Sequence, residues 1–192
     1  MSGTRKKQGP KSAQTSRGSA VSGPCFYGTF DSEIGRVYVA VSGGEVVALS
    51  FTSGSEEEFQ EETAVHLGRV LSRSDAAVRE VISELREYFR GTRTAFGVVP
   101  HVGGCTEFQR RVLKAAASIP YGQTRSYAWL AKEAGSPRAA RAAGQVMARN
   151  PVPIIIPCHR VIGSAGGLCG FAGGLRALDL KRMLLAIEGV KM

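Results

Sequence analysis

The sequence of 192 residues predicts an α+β protein, in which a small N-terminal antiparallel sheet with one covering helix precedes a mostly helical C-terminal domain. Two observations indicate this fold class. Short runs of apolar and β-branched residues, separated by glycine-containing turns, fill residues 25–51. From residue 75 onward, apolar residues instead recur every three or four positions, which is the spacing of amphipathic helices.

Changes in composition divide the chain into three segments. Residues 1–24 contain five basic residues, no acidic residue and few large apolar side chains, so we expect a disordered basic arm. Residues 25–104 carry seven arginines and twelve acidic residues, whereas residues 105–192 carry thirteen basic and four acidic residues. The positive charge of the folded part is concentrated in the C-terminal domain, which indicates either a polyanionic partner or an ordinary solvated surface.

Several classes of protein are excluded by composition. The four cysteines form no CxxC pair and have no partners at zinc-ligand spacing, so we expect reduced thiols, no metal and no cofactor. No apolar run approaches the roughly 18 residues of a membrane span, and the basic N-terminus lacks the apolar centre of a secretory signal. We expect a cytoplasmic protein, or a nuclear one in a eukaryote, without membrane association.

Three β-type runs begin the folded part, and a helix follows them. The runs are CFYGTF at 25–30, RVYVAV at 36–41 and EVVALSF at 45–51, with a hairpin turn at 42–44. The helix lies within residues 74–91, with Asp75 as its cap and Gly91 at its exit. Its apolar face consists of Val78, Val81, Ile82, Leu85 and Phe89. We interpret this domain as a scaffold, because it contains no convincing set of catalytic residues.

Two helix signals open the C-terminal domain. Thr106 and Gln109 have the spacing of a capping box at the start of the first helix. The apolar stripe of this helix consists of Phe108, Val112, Leu113 and Ala116. The second helix runs from the cap-like Ser126 to Gly135.

A third helix follows at once, with Ser136 as its cap and Pro137 in its first position. Two short helices joined through a glycine outline a helix-turn-helix, which makes the C-terminal domain winged-helix-like. Arg138 and Arg141 lie on a surface otherwise made of alanine and glycine. Such a surface allows close approach to a DNA groove or, equally, to another helix.

The last predicted helix stops at Gly189. Glu188 falls in its final turn. Its apolar face consists of Leu180, Met183, Leu184 and Ile187.

Cys158 follows an isoleucine run that we expect to form a core strand, and His159 stands beside it. A thiol with an unperturbed pKa of about 8.5 is mostly protonated at neutral pH, so a nucleophilic cysteine needs a base. An adjacent histidine can accept the proton, directly or through a water, and a carboxylate such as Glu188 can fix its tautomer. The alternative is a structural cysteine, because strand neighbours point to opposite faces.

A longer resemblance bears on this choice. PCHRV at 157–161, NPVPIII before it and GFAGGL at 170–175 resemble the active-site signature of the O6-alkylguanine-DNA alkyltransferases, or methylated-DNA–protein-cysteine methyltransferases. The similarity also includes FQRRVLKAAASIPYGQTRSYAWLA from residue 108 and the terminal LLAIEG. The resemblance implies DNA repair by stoichiometric, single-turnover transfer of the alkyl group from O6-alkylguanine to a cysteine, with O4-alkylthymine as an open second substrate.

The resemblance implies a role for each matching residue. Cys158 would accept the alkyl group, His159 would act as base through a water, and Glu188 would orient His159. Asn150 would tie the turn before the active site to the helix-turn-helix. The Tyr127 hydroxyl would face guanine N3, where a proton must arrive as the base leaves.

The remaining implied roles concern DNA and the base pocket. Arg141 would replace the flipped nucleotide in the duplex stack, with Arg138 and Ser126 as further DNA-binding residues. The Val161 carbonyl would contact the exocyclic amine of guanine. The backbone N–H of Ala172 would bind O6 and, with Phe171, line the pocket, although this pair replaces the tyrosine and serine that are frequent in the family.

The partner implied is double-stranded DNA that contains O6-alkylguanine, bound by a monomer through the minor groove. Because O6 cannot be reached inside a duplex, the base must be flipped out. Three other functions have different sequence requirements. A noncatalytic binder of alkylated DNA has no need for Cys158, a helix-turn-helix transcription factor leaves the Cys-His-Glu set unexplained, and a cysteine hydrolase has no need for Arg141.

Overall fold

The structure is a computed structural model, and it describes residues 21–51, 54–168 and 175–191. Three long strands follow one another in an antiparallel meander, as predicted: β1 (Cys25–Ser32), β2 (Gly35–Ser42) and β3 (Glu45–Ser50). Gly43 and Gly44 join β2 to β3 with φ values of 58° and 82°. Only glycine adopts two such angles in succession without strain, which fixes the hairpin at this point.

Two short strands extend the sheet at its edges, and both were missed. β4 (Leu71–Arg73) pairs parallel with β1, and β5 (Val99–Pro100) pairs parallel with β3, which gives the order β4-β1-β2-β3-β5. The prediction of an antiparallel sheet therefore holds for the long strands and is wrong for the edges. Strands of two or three residues are too short to show an alternating pattern.

Helices cover both faces of this sheet, so the prediction of one covering helix was incomplete. α1 (Glu56–Leu67) packs Phe59 on the Tyr38 ring, with the ring centres 5.4 Å apart. α2 (Arg79–Phe89) packs on the opposite face, in the cluster that contains Val37 and Val39. α1 was not predicted, because only Phe59 and Thr63 are buried along it and its sequence therefore shows no apolar stripe.

The start of α2 differs from the prediction. Asp75 does not cap it; the Ser74 hydroxyl instead accepts from the Ala77 N–H at 3.3 Å in a preceding turn, and the helix begins at Arg79 without a side-chain cap. Gly91, with a φ of 70°, follows its end as expected.

The C-terminal part contains the predicted helices. α3 (Glu107–Ala117) begins with the Thr106–Gln109 capping box. α4 (Tyr127–Glu133) is capped by Ser126, which accepts from the Trp129 N–H at 3.1 Å. α5 (Ala140–Ala148) completes the helix-turn-helix. The short strands β6 (Arg125–Ser126) and β7 (Val161–Ile162) pair in parallel next to α4.

α5 begins later than predicted. Ser136 and Pro137 lie in a turn closed by the bond from the Ala139 N–H to the Ser136 carbonyl at 2.9 Å, so Ser136 is not the helix cap. Arg138 consequently precedes the helix, whereas Arg141 lies in its first turn.

The last helix, α6 (Leu175–Ile187), presents a different face from the predicted one. Leu184 and Leu185 are buried, but Met183 is 42% exposed. Lys181, a polar residue by sequence, is fully buried on this helix. Glu188 directly follows α6, and Gly189 ends the helical turn with a φ of 76°.

A single hydrophobic cluster joins the two parts of the molecule. It includes Val39 of the sheet and Leu85 of α2, and it continues through Leu113 of α3 to Leu184 of α6. Within the described ranges, every helix is too short or too polar to cross a bilayer. The α+β class is confirmed; most of the expected basic arm, residues 1–20, lies outside the described residues.

Candidate active site

Cys158 lies at the end of a buried turn, not of a strand. Ile154, Ile155 and Ile156 are all buried, but Ile154 has a φ of 74°, a left-handed conformation that β-branched residues rarely adopt. The prolines at 151, 153 and 157 also lack the N–H that a strand donates to its neighbour. The predicted core strand is therefore wrong, although the predicted burial is right.

The Asn150 side chain holds this turn together. Its Nδ2 donates to the Ile156 carbonyl at 2.8 Å, and its Oδ1 accepts from the Val152 N–H at 3.1 Å. Both amide ends are thus used across six residues of chain. Asn150 also forms a hydrogen bond with Cys158 that favours the thiolate.

Cys158 is buried, with 5% of the residue exposed, and begins a short 3₁₀ helix, Cys158–Arg160. It lines a cavity of about 460 Å³ together with Asn150, strand β3 and helix α1. Burial raises the pKa of the thiol, while the hydrogen bond from Asn150 and the charge of Lys181 oppose this rise. The resting sulfur is therefore protonated, and it must lose its proton to become a nucleophile.

His159 and Glu188 form a buried pair. His159 Nε2 lies 2.7 Å from Glu188 Oε1, and both side chains are fully buried. Burial lowers the pKa of His159, and the charges of Arg160 and Lys181 act in the same direction, whereas Glu188 opposes them. The imidazole is therefore neutral at neutral pH.

The carboxylate fixes which nitrogen of His159 is basic. Because Glu188 accepts at Nε2, the neutral ring carries its hydrogen there and leaves Nδ1 as the acceptor. His159 Nδ1 is buried and, among the described residues, has no hydrogen-bond partner. The basic nitrogen thus belongs to the residue that directly follows Cys158 in the chain.

Glu188 accepts hydrogen bonds from three further groups. Arg160 Nε lies 2.9 Å from its Oε2, the Tyr88 hydroxyl donates to its Oε1 at 2.8 Å, and the Gly122 N–H donates to its Oε2 at 3.1 Å. Burial alone would raise the pKa of Glu188, but the hydrogen bonds from His159 and Arg160 lower it to about 2. Glu188 is therefore ionised throughout the physiological range.

Lys181 connects three residues of the predicted site. Its Nζ donates to the Val161 carbonyl at 2.5 Å and lies 5.9 Å from the centre of the Tyr127 ring. Its charge also favours the Cys158 thiolate. The structure thus brings Tyr127, Cys158 and Val161 together around one buried ammonium group.

The predicted DNA-binding residues occupy the helix-turn-helix. Arg138 and Arg141 are exposed, and Ser126 and Tyr127 are half-buried at the start of α4. The Tyr127 ring packs over Gly144 of α5, where an added Cβ would lie 3.7 Å from two ring carbons. Neither Tyr127 nor Arg141 is among the described residues that line the cavity at Cys158.

Two predicted pocket residues, Phe171 and Ala172, lie outside the described residues. The same holds for Cys169 and for most of the GFAGGL motif. Cys25, Cys105 and Cys158 are free thiols. Across the part of the chain that the structure describes, no three His, Cys, Asp or Glu side chains are arranged to hold a metal ion.

Comparison with known proteins identifies the family. The DNA-binding domain of the 6-O-methylguanine DNA methyltransferases matches residues 107–190, and the ribonuclease-like domain of the same family matches residues 25–100. The methylated-DNA–protein-cysteine methyltransferase of Methanosarcina acetivorans is 38% identical over 164 residues, which cover 85% of this chain and 98% of the relative. The chain belongs to this family.

Solved structures of the 6-O-methylguanine DNA methyltransferase family share the fold. The O6-methylguanine methyltransferase of Mycobacterium tuberculosis superposes with a TM-score of 0.71 at 38% identity, covering 85% of this chain and 92% of that one. A structure of the mycobacterial protein in complex with DNA superposes with the same TM-score at 36% identity and the same coverage. The resemblance inferred from the sequence is confirmed.

In this member of the methyltransferase family, sequence analysis missed three residues of the buried cluster. Arg160 stands within the PCHRV motif, but no role was given to it. Lys181 was not assigned because a lysine on an amphipathic helix is usually solvated. Tyr88 lies 100 positions from Glu188, and no local pattern in a single sequence indicates such a contact.

Proposed function

We propose that this protein repairs DNA by transferring the alkyl group of O6-alkylguanine to Cys158, one alkyl group per protein molecule. The observation that carries the proposal is the buried His159–Glu188 pair beside Cys158, in a domain that also presents exposed arginines on a helix-turn-helix. Family membership adds independent support, because the relatives are named methylated-DNA–protein-cysteine methyltransferases.

The reaction is an in-line displacement at the alkyl carbon. The Cys158 proton passes to His159 Nδ1, directly or through a water, and Glu188 stabilises the resulting imidazolium through Nε2. The sulfur then forms a bond to the alkyl carbon while the bond from that carbon to O6 breaks, and its electron pair stays on guanine. A thioether has no leaving group that would free the sulfur, so each protein molecule reacts once.

The departing base leaves as an anion and must gain a proton. The Tyr127 hydroxyl is proposed to supply it at guanine N3, and solvent and the imidazolium restore the tyrosine. Overall, the thiol proton replaces the alkyl group on guanine, so atoms and charge balance. The Lys181 ammonium, 5.9 Å from the Tyr127 ring, adds a positive charge where the anion develops.

The Val161 carbonyl is proposed to contact the exocyclic amine of the flipped base. Lys181 already donates to this carbonyl at 2.5 Å. Because a carbonyl oxygen has two lone pairs, it can accept from both donors. Lys181 therefore occupies one lone pair of this carbonyl and leaves the other for the amine of the base.

Binding is proposed to occur in the minor groove, with Arg141 inserted where the flipped nucleotide has left the stack. Flipping costs a few kcal/mol. Phosphate contacts from the basic C-terminal half, with thirteen basic and four acidic residues in 105–192, offset this cost without reading a base sequence. Such binding suits a protein that must act on damage in any sequence.

The stoichiometry of repair tests this proposal. A duplex with one O6-methylguanine is incubated in excess with the protein, and the restored guanine is counted by nuclease digestion and chromatography. We expect restoration to stop when it equals the amount of active protein. Continued turnover, or binding of the damaged duplex without restoration, would contradict the proposal.

A further inference from the structure

Tyr88 reaches the active-site cluster from the N-terminal part of the molecule. It lies in α2 and is fully buried. Its hydroxyl donates to Glu188 Oε1 at 2.8 Å and lies 3.3 Å from His159 Nε2. The half of the chain that the sequence indicated as a scaffold thus contributes a polar group to the charged pair behind the thiol.

The Tyr88 ring is held in place by aromatic neighbours. Its centre lies 5.6 Å from those of Phe89 and Phe96, 6.2 Å from that of Tyr121 and 6.5 Å from that of His159. Edge and tilted contacts at these distances are favourable. The hydroxyl therefore has a fixed position relative to the carboxylate.

Glu188 Oε1 is shared among several donors. His159 Nε2 lies 2.7 Å from it, the Tyr88 hydroxyl 2.8 Å and Arg160 Nη2 3.0 Å. Each added donor takes up part of the negative charge of this oxygen. The charge that Glu188 offers to a protonated His159 is consequently smaller than it would be without Tyr88.

The remaining ionisable groups around the pair act consistently with this effect. Arg160, which ends the 3₁₀ helix, donates to Glu188. The positive charges of Arg160 and of Lys181 in α6 both lower the pKa of His159. Tyr121, on the loop after α3, packs against Tyr88 and donates to the Ile187 carbonyl. Burial, followed by the charge of Glu188, raises the pKa of Tyr88, so its hydroxyl stays protonated and remains a donor.

We propose that Tyr88 is a positioning residue for alkyl transfer, which orients the Glu188 carboxylate and limits the charge that Glu188 offers to His159. The N-terminal part would in this way set the basicity of a histidine in the C-terminal part. This inference rests on the proposed function, because it concerns the same thiol and the same base.

Tyr88→Phe tests the proposal, because it removes the hydroxyl and keeps the ring. The single-turnover rate constant of transfer from an O6-methylguanine duplex is measured by rapid quench across the pH range. At neutral pH we expect a loss of about tenfold, the effect of one hydrogen bond to a charged group. DNA affinity should not change, because Tyr88 is buried away from the helix-turn-helix surface.

The pH profile separates positioning from a merely structural role. The acidic limb reports protonation of His159, which removes the base. Without the hydroxyl, Glu188 stabilises the imidazolium more strongly, so the pKa of His159 rises and the limb moves to higher pH. Partial unfolding would lower the amplitude of the reaction but would leave the rate constant and the limb in place.

Tyr27→Phe is the matched control, because the Tyr27 hydroxyl also donates to a carboxylate, Glu56, at 2.8 Å, but in the other hydrophobic cluster. It should leave the rate constant and the profile unchanged. A Tyr88→Phe protein with the wild-type rate constant and profile would overturn the role of Tyr88 and leave the proposed function intact. Absence of transfer by the wild-type protein would instead overturn the proposed function.

Discussion

The two halves of this molecule bury charge in different ways. In residues 21–51 and 54–104, the buried charged side chain is Glu84, which accepts from the Gly97 N–H at 2.9 Å and lies 3.3 Å from Arg93. The C-terminal half buries four side chains of basic or acidic residues in one cluster: His159, Arg160, Lys181 and Glu188.

The partners of the two buried glutamates distinguish a structural contact from a candidate catalytic one. Burying a charge costs several kcal/mol unless hydrogen bonds and opposite charges compensate it, and both glutamates are compensated. Glu84 ties a loop to α2 through backbone N–H groups and an arginine. Glu188 is instead connected to a histidine with a free nitrogen next to a thiol. We propose that a buried carboxylate is a structural tie in one half and part of a proton relay in the other.

Exchange of each carboxylate for an amide gives the largest expected contrast. Glu188→Gln leaves Arg160 without its counter-charge and offers His159 a neutral amide oxygen in place of a carboxylate. We expect the free energy of unfolding to fall by about 3 kcal/mol, as for other broken buried ion pairs. We expect the single-turnover rate constant to fall about 100-fold, the usual contribution of acid–base assistance. Urea unfolding and rapid-quench transfer measure the two effects.

Glu84→Gln is the control for that variant. It should lose about 1 to 2 kcal/mol of stability, because its backbone hydrogen bonds weaken, and it should transfer the alkyl group at the wild-type rate. Equal losses of transfer rate in the two variants would show that the proposed division between a structural and a chemical carboxylate is wrong.

Acid should destabilise the protein through the same cluster. The pKa of Glu188 in the folded protein is about 2, below the 4.5 of an ordinary glutamate, so its stabilising effect is complete above about pH 5 and is lost as the pH falls toward 2. The pKa of His159 is also lowered, so the unfolded chain takes up this proton first and stability begins to fall below about pH 7.

We expect about 3 kcal/mol of the acid-induced loss to come from Glu188. Urea unfolding at a series of pH values measures it. The Glu188→Gln protein should show a flatter pH dependence than the wild type, and curves that run parallel would contradict this assignment.

Lys181→Met should act on the thiol. Removal of the ammonium group takes away a charge that lowers the pKa of Cys158, so that pKa rises further and less thiolate forms. We expect transfer at neutral pH to slow about tenfold. Alkylation of Cys158 by iodoacetamide, followed by peptide mass mapping across the pH range, reports the shift directly.

Lys114→Met removes an exposed lysine from α3 and serves as the comparison. Its Cys158 titration should match that of the wild type. If Lys181→Met also left that titration unchanged, the buried ammonium would have no electrostatic role at the sulfur.

The smallest expected contrast concerns exposed arginines. Arg141→Ala should slow repair of a duplex severalfold and leave the reaction with free O6-benzylguanine unchanged, because only a duplex needs its flipped nucleotide replaced in the stack. Arg79→Ala removes an exposed arginine from the N-terminal half and should affect neither substrate. A uniform loss on both substrates for Arg141→Ala would contradict its proposed place in the duplex.

Local patterns predicted much of the fold. The three long strands, the hairpin glycines and the Thr106–Gln109 capping box were visible because each depends on neighbouring residues. The edge strands and α1 were not, since the strands are too short to show a pattern and few apolar residues mark α1. The isoleucine run was read as a strand because its composition favours one, whereas three prolines and the Asn150 bonds impose a turn.

Site residues were predicted where a local motif or the family resemblance marks them. Cys158 and His159 are adjacent, and Glu188 was already the carboxylate candidate before the resemblance assigned it a role. Tyr88 and Lys181 reach the cluster through packing of α2 and α6, which no local spacing encodes. The expectation that His159 acts as the base for the thiol stays a prediction; burial raises the pKa of Cys158, so the sulfur is protonated at rest.

The mass of the protein after reaction is the most direct test that Cys158 is the acceptor. The wild-type, Cys158→Ala and Cys105→Ala proteins are each incubated with an O6-methylguanine duplex, and their intact and peptide masses are measured. Cys105 is a free, half-buried thiol of the same half and serves as the control. We predict one added methyl group on the Cys158 peptide of the wild-type and Cys105→Ala proteins, and none on Cys158→Ala. A methyl group on another residue, or its transfer to Cys158→Ala, would contradict the account.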